Sequence, residues 1–221
     1  MSDIAAFFQA VQSGDASKVA ALLDADASRS NAKNEKGLSA VLLAVYTGRK
    51  EIRDLLLARG VALELHEAAA VGQLARVKQI VDEDPALANN FSPDGFPVFA
   101  LAAVFGHREV AEYLFAKGAD VNAAATNGTG YNALTGAVAS GHAQIAGWLL
   151  RNGANANYRY GPGHSPLLEA AANGHLEIVK MLLEHGADLH QKSNDGKTAL
   201  KIAQERGHSK VAEFLRSLGA T

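Results

Sequence analysis

The amino-acid sequence predicts an all-α solenoid, and three observations carry that expectation. The first is a series of glycines, Gly14, Gly48, Gly72, Gly106, Gly141, Gly174 and Gly207, spaced by 34, 24, 34, 35, 33 and 33 residues. The second is a further glycine 12 residues after five of them, at Gly60, Gly118, Gly153, Gly186 and Gly219. The third is what lies around these pairs: a short Ala-rich segment before the first glycine and an amphipathic segment between the two. Over 176–184, Ile178, Val179, Leu182 and Leu183 share one helical face while Glu177, Lys180 and Glu184 share the other. Such a face needs a neighbour, and glycine supplies the positive φ that ends or turns a helix. Helix pairs at a fixed period therefore stack into a continuous strip of core.

Short motifs add a resemblance. Ser-Pro-Leu-Leu-Glu-Ala-Ala from Ser165 matches the pattern T-P-L-H-x-A-A, and the runs around Asp94-Gly95 and Asp195-Gly196 carry a D-G-x-T opening. The segments starting at Gly118 and Gly186 match a G-A-D closing turn. With a period near 33 residues, the chain resembles an ankyrin-repeat protein from end to end. The resemblance implies an ankyrin-repeat solenoid with short β-hairpin fingers, in a single domain spanning 1–221. Its seven units would cover approximately 1–33, 34–61, 62–90, 91–122, 123–157, 158–191 and 192–221, the first and last acting as caps.

Taken in order, unit one predicts helices over 4–12 and 16–24 with no turn ahead of them, and polar Gln9, Gln12 and Lys18 suit an end. Unit two predicts a turn at Lys36-Gly37, a Ser39 cap and helices to Tyr46 and over 50–58. Unit three departs most. Only two residues separate Gly60 from Leu63, the position aligned with the family's Thr, where units six and seven have 11, so no finger fits. Leu65-His66 would fill the family's L-H, giving His66 a turn-stabilising role, and Asp84-Pro85 stops the second helix. Units four, five and six have fingers at 91–97, 123–132 and 158–165, the fifth lengthened by two residues. Unit seven is basic and polar, with six Lys or Arg against three Asp or Glu from Gln191 onward, as a solvated cap requires.

Composition narrows the function. Twenty-one Lys and Arg against 23 Asp and Glu leave a net charge of −2, giving no electrostatic case for nucleic acid or an anionic membrane. The absence of Cys excludes disulfides, thiolate metal sites and a Cys nucleophile. The start lacks a basic segment followed by an apolar run, and no apolar run approaches the roughly 20 residues of a membrane span, so a cytoplasmic location and a monomer are expected.

Residues that suggest chemistry are mostly absorbed by the repeat. His107, His142, His175 and His208 follow the inter-helix glycines one per unit, too far apart to share a metal ion at about 2.1 Å, and are expected to be structural. His185 and His190 with Asp188 form only a weak metal candidate. Gly196-Lys197-Thr198 ends like a phosphate loop, but Gln191 stands where its first glycine belongs. Gly128, Gly130 and Ala133 lack the βαβ setting of a dinucleotide site. No catalytic, cofactor or metal site is therefore expected, and the chain reads as non-catalytic. Another class remains open, an accessory or stabilising regulator of one enzyme partner, or an enzyme whose site is unrecognised.

The resemblance implies that a partner protein is held by finger tips and by the concave face of the first helices. The residues at those positions are Leu38, Tyr46, Val71, Phe96, Phe105, Tyr131 and Tyr160, an aromatic and aliphatic stripe over units two to six. Such stripes mark binding surfaces, with Tyr and Phe as anchors, or else pack the fingers against one another. The missing finger should leave a notch beside Val71, flanked by Tyr46 and Phe105. Tyr113, Trp148, Met181 and Phe214 recur at one position of successive second helices and are expected in the core.

Overall fold

A computed structural model of the chain describes residues 3–220. Among these residues 14 α-helices follow one another in pairs. They are α1 (Asp3–Ser13), α2 (Ala16–Ala25), α3 (Ala40–Tyr46), α4 (Lys50–Ala58), α5 (Leu65–Val71), α6 (Leu74–Glu83), α7 (Val98–Val104) and α8 (Arg108–Ala116). The array continues with α9 (Ala133–Ala139), α10 (Ala143–Arg151), α11 (Pro166–Ala172), α12 (Leu176–Glu184), α13 (Ala199–Glu205) and α14 (Ser209–Ser217). Short 3₁₀ helices at Ala27–Asn31 and Pro85–Asn89 were not foreseen; Asp26 and Asp84 start them by accepting the N–H of Ser28 and Ala86.

A seven-residue helix is too short to persist alone, so its ends and its neighbours must hold it. Ser39, Asn132, Ser165 and Thr198 each accept the backbone N–H three residues on, at 3.2, 2.9, 3.4 and 3.3 Å. In α5 the cap is Glu64, whose own N–H is taken by the Glu67 carboxylate at 2.7 Å. This corrects the register of unit three by one residue: Glu64, not Leu63, stands at the capping position, and Glu67, not His66, stands where the family has its His.

Side by side, the helices bury a strip of apolar side chains that includes Phe7, Leu56, Val81, Leu114, Leu149 and Leu182. Tyr113, Trp148, Met181 and Phe214 are half-buried and pack against it. Trp148 meets the rings of Phe99 and Phe115 with centroids 6.3 and 5.4 Å away.

Two ladders of polar contacts fix neighbouring pairs. His107, His142 and His208 place Nε2 at 3.0, 3.0 and 2.9 Å from the carbonyl oxygens of Ala70, Val104 and Ala172 in the preceding first helix. Each ring lies on the preceding inter-helix glycine: a Cβ on Gly106 would stand 3.0 Å from His142, and one on Gly141 would stand 2.9 Å from His175. These glycines thus answer two needs at once, a positive φ and a bare surface. Arg49 makes the equivalent contact to the Gln12 carbonyl. Gln73 occupies that place in unit three, and its side chain makes no such bond among the described residues. The second ladder is Asn89, Asn122 and Asn157, each donating to the carbonyl of Gly118, Gly153 or Gly186 and accepting from the backbone of Asp120, Asn155 or Asp188.

The fingers are slight. Single antiparallel bridges close them at Lys33 with Ser39, Phe91 with Pro97, Ala124 with Asn132, Tyr160 with His164 and Lys192 with Thr198. Among the described residues no bridge precedes α5. The vacancy does not stay open: Phe96, from the fourth unit's finger, and Phe105, after α7, pack directly on Tyr46 of unit two. The Tyr46 ring stacks on Phe105 with centroids 6.0 Å apart and meets Phe96 edge-on at 6.3 Å. Its hydroxyl donates to Asp94 at 3.3 Å. Around them Leu38, Leu42, Ala70 and Leu101 form a small apolar cluster of their own. The notch expected between Tyr46 and Phe105 is therefore closed by those rings.

Candidate partner-binding groove

On the face carrying the first helices, α7 and α9 enclose a groove of about 370 Å³. Its floor follows from composition: VFALAAV and ALTGAVA place small side chains where the helices meet. Gly136 is the extreme case, because a Cβ there would overlap the Val104 side chain. Bare backbone at that point lets α9 rest on Val104 and leaves a depression beside it. Four rings wall the depression, from Tyr46, Phe96, Phe105 and Tyr131, and Asn132 and Ser140 also border it. The lining contains no Asp, Glu, Lys, Arg or His, and burial, with Asp94 close by, holds the Tyr46 hydroxyl far above the usual phenol range.

The seven residues named from the sequence do not form one exposed stripe. Tyr46, Phe96, Phe105 and Tyr131 line the groove. Leu38, 8% exposed, lies beneath them in the small cluster, and Val71 is half-buried against the main core. Tyr160 is 6% exposed and belongs to a second aromatic set, with centroids 5.2 Å from Tyr131, 6.2 Å from Tyr158 and 5.7 Å from His164. Its hydroxyl donates to Glu169 at 3.4 Å, and burial, reinforced by that carboxylate, keeps it protonated. Asn132 and Gly136 went unnamed. Gly136 carried a signal, being a glycine inside the Ala-rich segment before Gly141, and so did Asn132, an amide where units two, six and seven have Ser or Thr.

Two other depressions are more polar. One of about 570 Å³ lies between α1 and the turn of unit two, edged by Gln9, Gln12, Lys33, Glu35 and Lys36. Another of about 370 Å³ lies between units six and seven, where Lys197 pairs with Glu205 at 2.6 Å and with Asp195 at 3.7 Å. Charged rims of this kind keep their hydration and give a partner less to bury. Among the described residues no three His, Asp or Glu side chains stand together as metal ligands, and His185 Nδ1 lies 2.8 Å from the Met181 carbonyl oxygen.

The paired helices, the polar ladders and the single-bridge fingers define a helical-repeat array. The chain belongs to the ankyrin-repeat family: the model described as "Ankyrin repeats (3 copies)" matches residues 65–160 and 134–221. Repeats of this family are typically protein–protein interaction modules and are usually non-catalytic. The chain is also similar to the Ankyrin repeat and SAM domain-containing protein 6 of Rattus norvegicus, 36% identical over 96 residues, and to that of Mus musculus, 37% identical over the same length. The match covers 43% of this chain and 11% of either relative, so it concerns the repeats and a small part of those proteins. Among the described residues no helix is long and apolar enough to cross a membrane.

Proposed function

We propose that the chain is a non-catalytic module that binds another protein, and that the groove between α7 and α9, with the adjoining finger tips, is the surface it uses. The observation that carries this reading is an uncharged depression walled by four aromatic rings, in a chain of only 6% aromatic residues. Half-buried Tyr and Phe at the edge of an apolar concavity give a partner large contact area at small entropic cost. The ladders hold those rings in place before a partner arrives, which lowers the cost of ordering on binding.

Ser140 is exposed at the groove's edge, so Ser140→Arg should obstruct the groove and leave the fold intact. Glu213→Arg, at an exposed site on α14, is the matched control. Proteins captured by the wild type and by Glu213→Arg should be lost from Ser140→Arg, with unchanged circular dichroism. Equal capture by all three chains would refute the groove as the binding surface.

A further inference from the structure

Asn132 holds an unused hydrogen-bond donor at the groove. Its side-chain oxygen accepts the Thr135 N–H at 2.9 Å, which fixes which end of the amide is oxygen. Nδ2 is therefore the donor end, and it has no partner although the residue is only 1% exposed. An unpaired buried N–H is a cost to the free fold. The cap does not require it: Ser39, Ser165 and Thr198 cap the equivalent helices with a hydroxyl oxygen and carry no amide NH2. An amide was thus placed where a hydroxyl suffices, at the edge of the groove.

We propose that the groove takes an extended, uncharged peptide segment of a partner protein, with a Leu- or Phe-sized side chain among the rings and a backbone carbonyl accepting from Asn132 Nδ2. This rests on the reading of the groove as the partner-binding surface. The chemistry of the lining selects this occupant over others. A carboxylate side chain would lose its hydration against ring faces that return nothing for it. A plain hydrocarbon would fill the space and leave the amide unpaired. A peptide brings an apolar side chain and a strong acceptor within one residue of each other. Nδ2 is closed to water in the free chain, so the carbonyl reaches it only as a side chain lining the groove moves aside.

The test uses the full, isotope-labelled chain and blocked pentapeptides, Ala-Ala-Xaa-Ala-Ala with acetylated and amidated ends, in which Xaa is Phe, Leu or Glu. The Phe and Leu peptides should shift the Asn132 side-chain amide resonances together with the Leu101 and Val104 methyls, and the Glu peptide should shift neither. Asn132→Thr replaces the amide by a hydroxyl that can still accept the Thr135 N–H, as at Thr198; it should weaken Phe-peptide binding about five- to tenfold. The same variant should unfold at an equal or higher temperature, which a purely structural amide would not allow. Asn132→Ser repeats the comparison with the residue that caps α11. Unchanged affinity in both variants, equal binding of the Glu peptide, or no groove shift with any peptide would overturn the proposal. If Ser140→Arg still abolishes partner capture in that event, the surface is right and only its occupant is wrong. Should Ser140→Arg also have no effect, the reading of the surface falls with it.

Discussion

Truncating Tyr46 tests whether units two and four are joined across the place where a finger is missing. Tyr46→Phe removes only the 3.3 Å bond to Asp94, a long contact at a partly exposed site, and should cost about 0.5–1 kcal/mol. Tyr46→Ala also removes the ring that stacks on Phe105 and meets Phe96. Complete burial would make the loss of such a ring worth about 3–5 kcal/mol, and half-burial scales it to about 2–3 kcal/mol. The sharper quantity is the coupling between Tyr46→Ala and Phe96→Ala in a double-mutant cycle, measured by urea unfolding. An edge-on aromatic pair predicts a coupling of about 0.5–1.5 kcal/mol. Residues with no shared partner should add to within about 0.3–0.5 kcal/mol, so Tyr46→Ala paired with Phe214→Ala, on α14, is the additive control. If Tyr46 and Phe96 prove as additive as the control, the direct contact between units two and four is not energetically real, and the account of the closed vacancy fails.

Other outcomes follow from single contacts. Gly136→Ala drives a methyl into Val104 and should destabilise the chain by about 1–3 kcal/mol despite alanine's better helix propensity; Val104→Ala in the same chain should recover much of the loss, read by thermal unfolding. His142→Ala should cost about 1 kcal/mol by losing its bond to the Val104 carbonyl, and amide exchange should rise most in α7 and α9. Burial pushes His66 and His107 below the ordinary imidazole value, so the unfolded chain takes up protons more readily than the folded one. Their contribution is complete above about pH 6.5 and is lost as pH falls from there through the folded values; His66→Gln with His107→Gln should flatten that slope in urea titrations at successive pH values.

Much of the architecture was legible because glycine spacing and helical amphipathicity report local needs. The inter-helix glycines mark positive φ, and the equal intervals after them mark helix length. Ser39 gave its cap from residue type alone. Legibility ended where two units act on one residue. Unit three was aligned by its glycine, while its helix begins one residue later because Glu64 and Glu67 satisfy each other. Tyr46 and Phe105 were read as flanking a notch, but nothing local says that their rings meet across it; that contact joins residues two units apart. Asn132 was hidden for the converse reason: its cap was satisfied, and an orphaned donor shows only when every possible acceptor has been placed.

The absent finger also bears on how freely this array can be edited. Repeat arrays ordinarily tolerate the insertion, removal or exchange of a whole unit, because each interface involves one neighbour on either side. Here Asp94, Phe96 and Phe105 have their counterpart in Tyr46, across an intervening pair of helices. Removing unit three, or giving it a standard finger, should alter the spacing between those rings and so disturb their contact. Units two to four are therefore expected to be transplanted only as one block, whereas the later pairs, held by the asparagine and histidine ladders, are expected to be exchanged singly.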